Sequence, residues 1–210
     1  VPLIFKGGPM HGLINKAIQC FVLDTYGCEA WREIAQSAAL PVMQFEAMLI
    51  YEDALTEQVL DGSARFLDKP RADVLEDIGT YLASHPNVEA LRRLLRFGGA
   101  HFVEFLYSLD DLHDRARLAV DDLDLPRLTL VRHTENHYSL LCAAAFPGWG
   151  HVLVGILRVM ADDYGALACL EHCGTNGQTE TIDIMLVQTS YARGRAFVLG
   201  QQPVLDENNV

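Results

Sequence analysis

Several things are scarce in this sequence, and each scarcity excludes a class of protein. No apolar run approaches the roughly 18 residues that a membrane helix requires. The longest candidate, around His151–Met160, is interrupted by Gly155 and Arg158. Positive charge is short as well: 16 Lys and Arg stand against 28 Asp and Glu, for a formal net charge of −12. A nucleic-acid binder needs a positive stripe, so that class is disfavoured. The five cysteines, Cys20, Cys28, Cys142, Cys169 and Cys173, are odd in number and widely spaced. They have no disulfide-scaffold rhythm and point to a reducing cytoplasm. Val1–Pro9, with one Lys and only a short apolar stretch, is not expected to act as a secretory signal. Hydrolase, nucleotide and dinucleotide signatures are missing too: there is no G-x-S-x-G, H-E-x-x-H, P-loop or G-x-G-x-x-G. Carboxylate pairs such as Asp110-Asp111, Asp121-Asp122 and Asp162-Asp163 are sequence neighbours. On a helix such neighbours point about 100° apart and do not converge, so they read as solvated helix faces and ends.

What is present suffices for a core. Half of the 210 residues are hydrophobic, which fits one domain, or two at most. Met10 reads as the natural start, with residues 1–9 a leader or an artificial extension, 10–200 one domain and 201–210 a tail. Apolar residues at Leu13, Ile14, Ala17, Ile18, Phe21 and Val22 have a helical period, and Gly27 is placed to end that helix. Trp31, Ile34 and Ala35 mark a second short helix. Phe45–Tyr51 and Asp53–Leu67 read as helices. Pro70 opens another through Val74, Ile78 and Tyr81 to Ser84, which His85-Pro86 breaks. Glu89–Phe97 is basic and amphipathic. The longest helix is expected over Ala100–Val120, where Phe102, Phe105, Leu106, Leu109, Leu112, His113 and Ala116 form one apolar stripe. The character then changes. Leu128–Arg132 and His137–Cys142 read as strands around Thr134-Glu135-Asn136, Gly150–Tyr164 as a helix, and Thr181–Thr189 with Ala192–Leu199 as a β-hairpin. Helices succeeded by a β-rich tail give an α+β fold: a helical N-terminal part, then helices packed on a small antiparallel sheet.

His113 stands out because it lies on an apolar stripe. From the pattern alone, the commoner reading is a core histidine satisfied by a hydrogen bond. The other is an axial metal ligand, with Nδ1–H donated to a carbonyl and Nε2 presented to the metal. The Leu109 carbonyl, four residues back, is the candidate acceptor.

Met10-His11-Gly12-Leu13-Ile14-Asn15-Lys16-Ala17-Ile18 resembles the opening of the H-NOX (heme-nitric oxide/oxygen binding) domains, bacterial relatives of the heme domain of soluble guanylate cyclase. Tyr26-Gly27 and Trp31 continue the pattern. Phe105-Leu106 with Leu109-Asp110-Asp111-Leu112-His113-Asp114-Arg115 resembles the family's proximal-ligand helix. Leu125-Pro126-Arg127-Leu128 falls where the family sets a proline against the heme, with Pro126 thirteen residues after His113. Gly155-Ile156-Leu157 is similar to the distal helix. The resemblance implies heme b held by His113 as the sole protein ligand. It places Ile14, Ile18, Tyr81, Val152 and Ile156 on the distal side and Leu106, Leu109 and Pro126 on the other. It implies a non-enzymatic sensor of nitric oxide, also binding CO, that reports to a histidine kinase or a cyclic-dinucleotide signalling protein, with no nucleic-acid or membrane partner. Oxygen-binding relatives use a distal Tyr where this chain has Val152, so a stable complex with O2 is not expected.

One departure stands against the pattern. The family clamps the heme propionates with Y-x-S-x-R, and counting back from Gly155 puts Cys142, Ala144 and Phe146 at those positions. Arg127, Arg132 and His133 are candidate substitutes. The departure supports a rival reading, a related module with weakened or lost heme binding that takes another apolar ligand or only a protein partner. Cys169-Leu170-Glu171-His172-Cys173 offers three zinc-ligand types at cramped spacing, and a tetrahedral site needs four. Buried thiols in a turn are the expected reading, and a redox sensor using Cys169 and Cys173 is a third function.

Overall fold

The structure, a computed structural model, describes residues 9–120 and 123–195. It is α+β, as the sequence implies. The first strand, β1 (Pro9–His11), leads into helix α1 (Gly12–Ser37). The His11 side chain caps α1 by accepting from the Leu13 amide at 3.1 Å. Gly27, at φ 90° and ψ 173°, is non-helical and separates two helical stretches across a kink, the second running through Trp31 and Ile34 as expected. A residue with φ in that region is glycine's own ground, which is why one residue suffices to kink the element.

The stretch expected as a helix over Phe45–Tyr51 is instead a loop that runs into strand β2 (Ile50–Glu52), antiparallel to β1 with Met10 opposite Tyr51. The backbone at the start of this stretch bonds to side chains of α1. The Phe45 amide donates to Gln19 Oε1 at 3.0 Å, and the Met43 carbonyl accepts from Trp31 Nε1 at 2.8 Å and Gln19 Nε2 at 3.1 Å. Those contacts compete with helical pairing, and Phe45 becomes a core residue without helical neighbours. Gly12 lets this loop cross closely, because a Cβ there would overlap the Glu46 carbonyl oxygen.

Helices α2 (Asp53–Leu67), α3 (Arg71–Ser84) and α4 (Glu89–Arg96) keep to the expected bounds. Pro70 stands just ahead of α3. The single long helix expected over Ala100–Val120 is divided into α5 (Phe102–Ser108), a 3-10 turn (Leu109–Asp111) and α6 (Leu112–Ala119). Asp110 supplies a reason for the interruption: its Oδ1 accepts the Leu130 amide at 2.8 Å, tying the turn to the sheet.

The C-terminal half holds β3 (Arg127–Arg132), β4 (His137–Ala143), helix α7 (Trp149–Tyr164), β5 (Leu167–Asn176) and β6 (Thr179–Gln188). The sheet order is β3-β4-β6-β5, antiparallel throughout. The hairpin partner of β6 is thus β5, which precedes it. Residues 192–195 of the expected second strand form none, and 196–199 lie outside the described residues. The alternation of β5 is half-buried against exposed rather than buried against exposed, so its apolar signal is faint in the sequence.

Tyr138, Leu140, Cys142, Ile182, Ile184 and Leu186 form the buried face of the sheet. Helix α7 packs on the sheet and on α3. The α3–α7 crossing depends on two glycines: a Cβ at Gly79 would overlap the Val152 carbonyl oxygen, and one at Gly155 the Glu76 carbonyl oxygen. Backbone contact of this kind removes water from both helices at once, and Leu157 and Met160 beyond it are fully buried. Each such side chain contributes about 1.5–3 kcal/mol. No helix among the described residues is long and apolar enough to cross a membrane.

Candidate functional site

Two cavities lie between the halves of the fold, and Ile14, Phe146 and Trp149 line both. The smaller, about 50 Å³, is apolar and bounded by α1, α2, α3 and α7 through Ile18, Leu60, Leu75, Ile78 and Val152. The larger, about 790 Å³, opens between the start of α1, the segment Leu123–Arg127, the strand-to-helix connection Ala143–Phe146, and α6 through Arg117. That volume is within the range of small-molecule and cofactor sites.

His113 is the second residue of α6 and is 5% exposed. Its Nδ1 lies 2.7 Å from the Leu125 carbonyl oxygen. A carbonyl only accepts, so Nδ1 carries the proton and donates it, which leaves Nε2 as the bare base. Nε2 is buried and has no hydrogen-bond partner. A buried polar atom left so costs about 1–3 kcal/mol. The expected acceptor, the Leu109 carbonyl, is occupied by the Leu112 amide within the 3-10 turn. His113 does not itself line the large cavity, but Leu125, which holds its ring, and Pro126 beside it do.

The residues named from sequence divide into those on the cavity walls and those away from them. Ile14 faces both cavities, Ile18 and Val152 the smaller, and Pro126 the larger. Ile156 sits at the α3–α7 crossing, near Gly79, and lines neither. Leu106 and Leu109 are core residues and line neither. Tyr81 is buried, but its hydroxyl donates to Asp24 Oδ2 at 2.6 Å and its ring stacks on His85 with centroids 4.9 Å apart. Burial and the Asp24 bond push its pKa upward, while the same bond, joined by Asn87, pulls that of Asp24 down.

Of the residues considered for the missing clamp, Ala144 and Phe146 line the large cavity, and Cys142 turns into the sheet. Burial and, after it, the nearby Glu180 push the Cys142 thiol up to about 12. Arg132 and His133 serve the β3–β4 turn. Arg132 Nε donates to the Thr134 carbonyl at 3.0 Å, and His133 Nε2 lies 2.8 Å from Ser139 Oγ. Arg127 is on the cavity wall.

Sequence reasoning passed over Arg117, although it lies one helical turn after His113 and shares its face. It also passed over Trp149 and the group that fixes it. Glu180, a buried carboxylate on β6, accepts from the amides of Gly148 at 2.7 Å and Gly150 at 3.1 Å and from His172 Nε2 at 2.8 Å. A negative charge at these amides suits the start of α7. His172 in turn stacks on His151, centroids 4.0 Å apart. Hence His172 belongs to this bracket. Cys169 and Cys173 are exposed on the opposite face of β5, because a strand alternates its side chains. They are neither buried nor in a turn, contrary to the expectation from sequence, and no group of three or more metal-ligating side chains occurs among the described residues.

Two adjacent cavities, the larger bordered by a segment that fixes a buried imidazole with one nitrogen free, make a candidate ligand site in an α+β domain. The chain belongs to the Haem-NO-binding family, whose model matches residues 11–171. Among curated proteins it is similar to soluble guanylate cyclase 89Db of Drosophila melanogaster, 20% identical over 158 residues, 75% of this chain and 24% of the cyclase. It is also similar to soluble guanylate cyclase gcy-31 of Caenorhabditis elegans, 21% identical over 154 residues, 73% of this chain and 22% of that one. The chain therefore spans about a quarter of the length of these cyclases. Among solved structures, the Fe(II) unliganded H-NOX protein from K. algicida shares the fold at TM-score 0.72 and 19% identity, over 88% of this chain and 100% of that one. A mutant H-NOX protein from S. oneidensis in the Fe(II) ligation state does so at TM-score 0.71 and 19% identity, over 86% and 98%.

Proposed function

We propose that this domain binds heme b with His113 as its single axial protein ligand and senses nitric oxide, reporting to a partner protein. The observation that carries the reading is the pair of nitrogens on His113, Nδ1–H bound to Leu125 and Nε2 buried and free. A metal-ligating histidine has this arrangement, with its second nitrogen held by a carbonyl that fixes tautomer and ring direction. The heme iron supplies the coordination site for diatomic ligands when bound. The protein's part is to orient His113, to present Pro126 and Ile14 to a flat apolar group, and to keep water from Ile18, Leu75, Ile78 and Val152.

Force on the imidazole passes through the Nδ1–H bond to Leu125, and through Pro126 to Arg127 at the start of β3. That path gives the domain a way to report to a histidine kinase or cyclic-dinucleotide enzyme in the cytoplasm. The match covers 24% of the cyclase, a protein about three times as long as this chain, so a catalytic role is not proposed.

Val152 has no hydrogen-bond donor, and the Tyr81 hydroxyl is committed to Asp24. Bound O2 would find no partner from either, whereas NO and CO depend mainly on their bond to iron. The domain is therefore expected to take NO and CO and to hold no O2 stably in air.

The test is a hemin titration of the purified chain, reduced, with and without NO. A Soret band characteristic of histidine ligation is expected, lost in His113→Gly and restored by added imidazole. An unaltered spectrum in that variant would assign the ligand elsewhere. A second reading, a module for another apolar ligand, is favoured by Ala144 and Phe146 where a polar clamp is absent, and wild-type protein that gives no Soret shift would select it.

A further inference from the structure

The large cavity is amphipathic in a directional sense. Ile14, Phe146 and Trp149 line both it and the smaller apolar cavity, and two exposed arginines, Arg117 on α6 and Arg127 on β3, sit on its wall. In a chain with 28 acidic residues, a surface arginine readily acquires a carboxylate partner. Arg32, Arg71, Arg92, Arg93 and Arg158 all have one. Neither the Arg117 nor the Arg127 side chain makes an ion pair or hydrogen bond among the described residues. Two acidic residues, Asp53 and Asp124, share the wall.

We infer that Arg117 and Arg127 form a carboxylate-binding mouth that holds the two acid groups of a porphyrin, in place of the absent Y-x-S-x-R clamp. The inference rests on the proposed heme-binding function. Guanidinium groups meet carboxylates through paired N–H donors, among the stronger hydrogen-bond arrangements available. The two arginines come from separate elements: Arg117 lies one turn beyond His113, and Arg127 is the next residue after Pro126. Both are thus coupled to the segment that fixes the imidazole. A group with an apolar body and two acid tails would bury the body against Phe146 and Trp149 and leave the tails at the guanidinium groups.

The experiment uses metal-free protoporphyrin IX, which needs no axial ligand, and its dimethyl ester, each monitored by quenching of tryptophan fluorescence. Wild type is compared with Arg117→Ala/Arg127→Ala, with Arg127→Ala and with Arg127→Glu. Both arginines are exposed, and circular dichroism verifies that the variants remain folded. The double variant should lose tenfold or more in affinity for the diacid and little for the ester, with Arg127→Glu losing at least as much as Arg127→Ala. Asp124→Asn should bind the diacid slightly more tightly. Equal affinity of wild type and the double variant for the diacid, or an equal loss for diacid and ester, would overturn the inference while leaving His113 as ligand intact. Wild-type protein that binds neither porphyrin would remove the heme reading and this inference together.

Discussion

The two sides of the cavity are built on opposite principles. On the α3–α7 side the backbones touch at Gly79 and Gly155, and most of the buried polar groups nearby are answered: Thr56 donates to Asn15 at 2.7 Å, Tyr81 to Asp24, and Glu180 takes two amides and a histidine, while Asn15 Nδ2 and His151 Nδ1 have no hydrogen-bond partner. On the α6–β3 side the helix is broken into short pieces, an imidazole nitrogen is buried without a hydrogen-bond partner, and two arginines have no carboxylate partner among the described residues. A close-packed wall with satisfied groups has one low-energy arrangement. A wall with unanswered groups is completed by what it binds. The contrast places rigidity on the side proposed to face a small ligand and incompleteness on the side proposed to hold a cofactor.

The sharpest way to break the rigid side is Gly155→Val. Its side chain would collide with the Glu76 backbone, which cannot rotate away. Overpacking of this kind costs about 1–3 kcal/mol and more where backbone must move, so we expect the upper end of that range or beyond in denaturant melts, with the heme-free protein affected as strongly as the loaded one.

The buried thiol gives the rigid side an alkaline limit. Folded Cys142 keeps its proton up to about pH 12, whereas in the unfolded chain it is released near the ordinary thiol value. Between those values the folded state binds more protons, so stability is full below the ordinary value and falls as pH rises through the window, by about 1.4 kcal/mol per unit at most. Cys142→Val should flatten that limb in alkaline melts. Thiol reagents at neutral pH should modify the exposed Cys28, Cys169 and Cys173 while sparing Cys142.

Glu180→Ala leaves two amides and His172 without their acceptor. A loss of about 1.5–3 kcal/mol is expected, together with altered Trp149 fluorescence, since Gly148 and Gly150 flank that indole. Glu180→Gln should recover part of the stability.

The smallest effect belongs to Tyr81→Phe, at about 1 kcal/mol. Asp24 has a depressed pKa when folded, so its contribution is present above the ordinary carboxylate value and lost as pH falls through the folded one. Removing the Tyr81 hydroxyl should therefore bring acid unfolding at a higher pH. Ligand preference should not change, because this hydroxyl points to Asp24; a gain or loss of O2 binding in this variant would reassign it to the pocket.

Legibility in the sequence tracks the strength of local signals. Helix α2 and strands β3 and β4 have clear periods and capping or turn residues, and they are readable to within a residue or so. The Phe45–Tyr51 loop is not, because its backbone partners are Gln19 and Trp31, which are 26 and 12 residues from the groups they hold. The same holds for the site. His113, Pro126, Ile14 and Val152 can be named from their pattern and family resemblance. An apolar stripe does not reveal which neighbour it meets, so Leu106, Leu109 and Ile156 carry the same signal while packing in the core. Arg117 is readable in principle, one turn from His113, but an exposed arginine on a helix has no distinguishing mark until a cavity is seen beside it.

The turn at Leu109–Asp111 has a mechanical meaning. Asp110 pins it to β3, so helix α5 on its N-terminal side is anchored, and α6 on its C-terminal side is only eight residues long. A helix so short has little stability of its own in water. It is kept wound by its grip at the first turn, where His113 holds Leu125, while its far end exposes Leu118 to solvent. Slackening the His113–Leu125 bond at its root is expected to fray these two turns, against the remaining hold of Arg115 on the Ser108 carbonyl at 2.8 Å. Protease cleavage between Leu112 and Val120 would report that fraying directly.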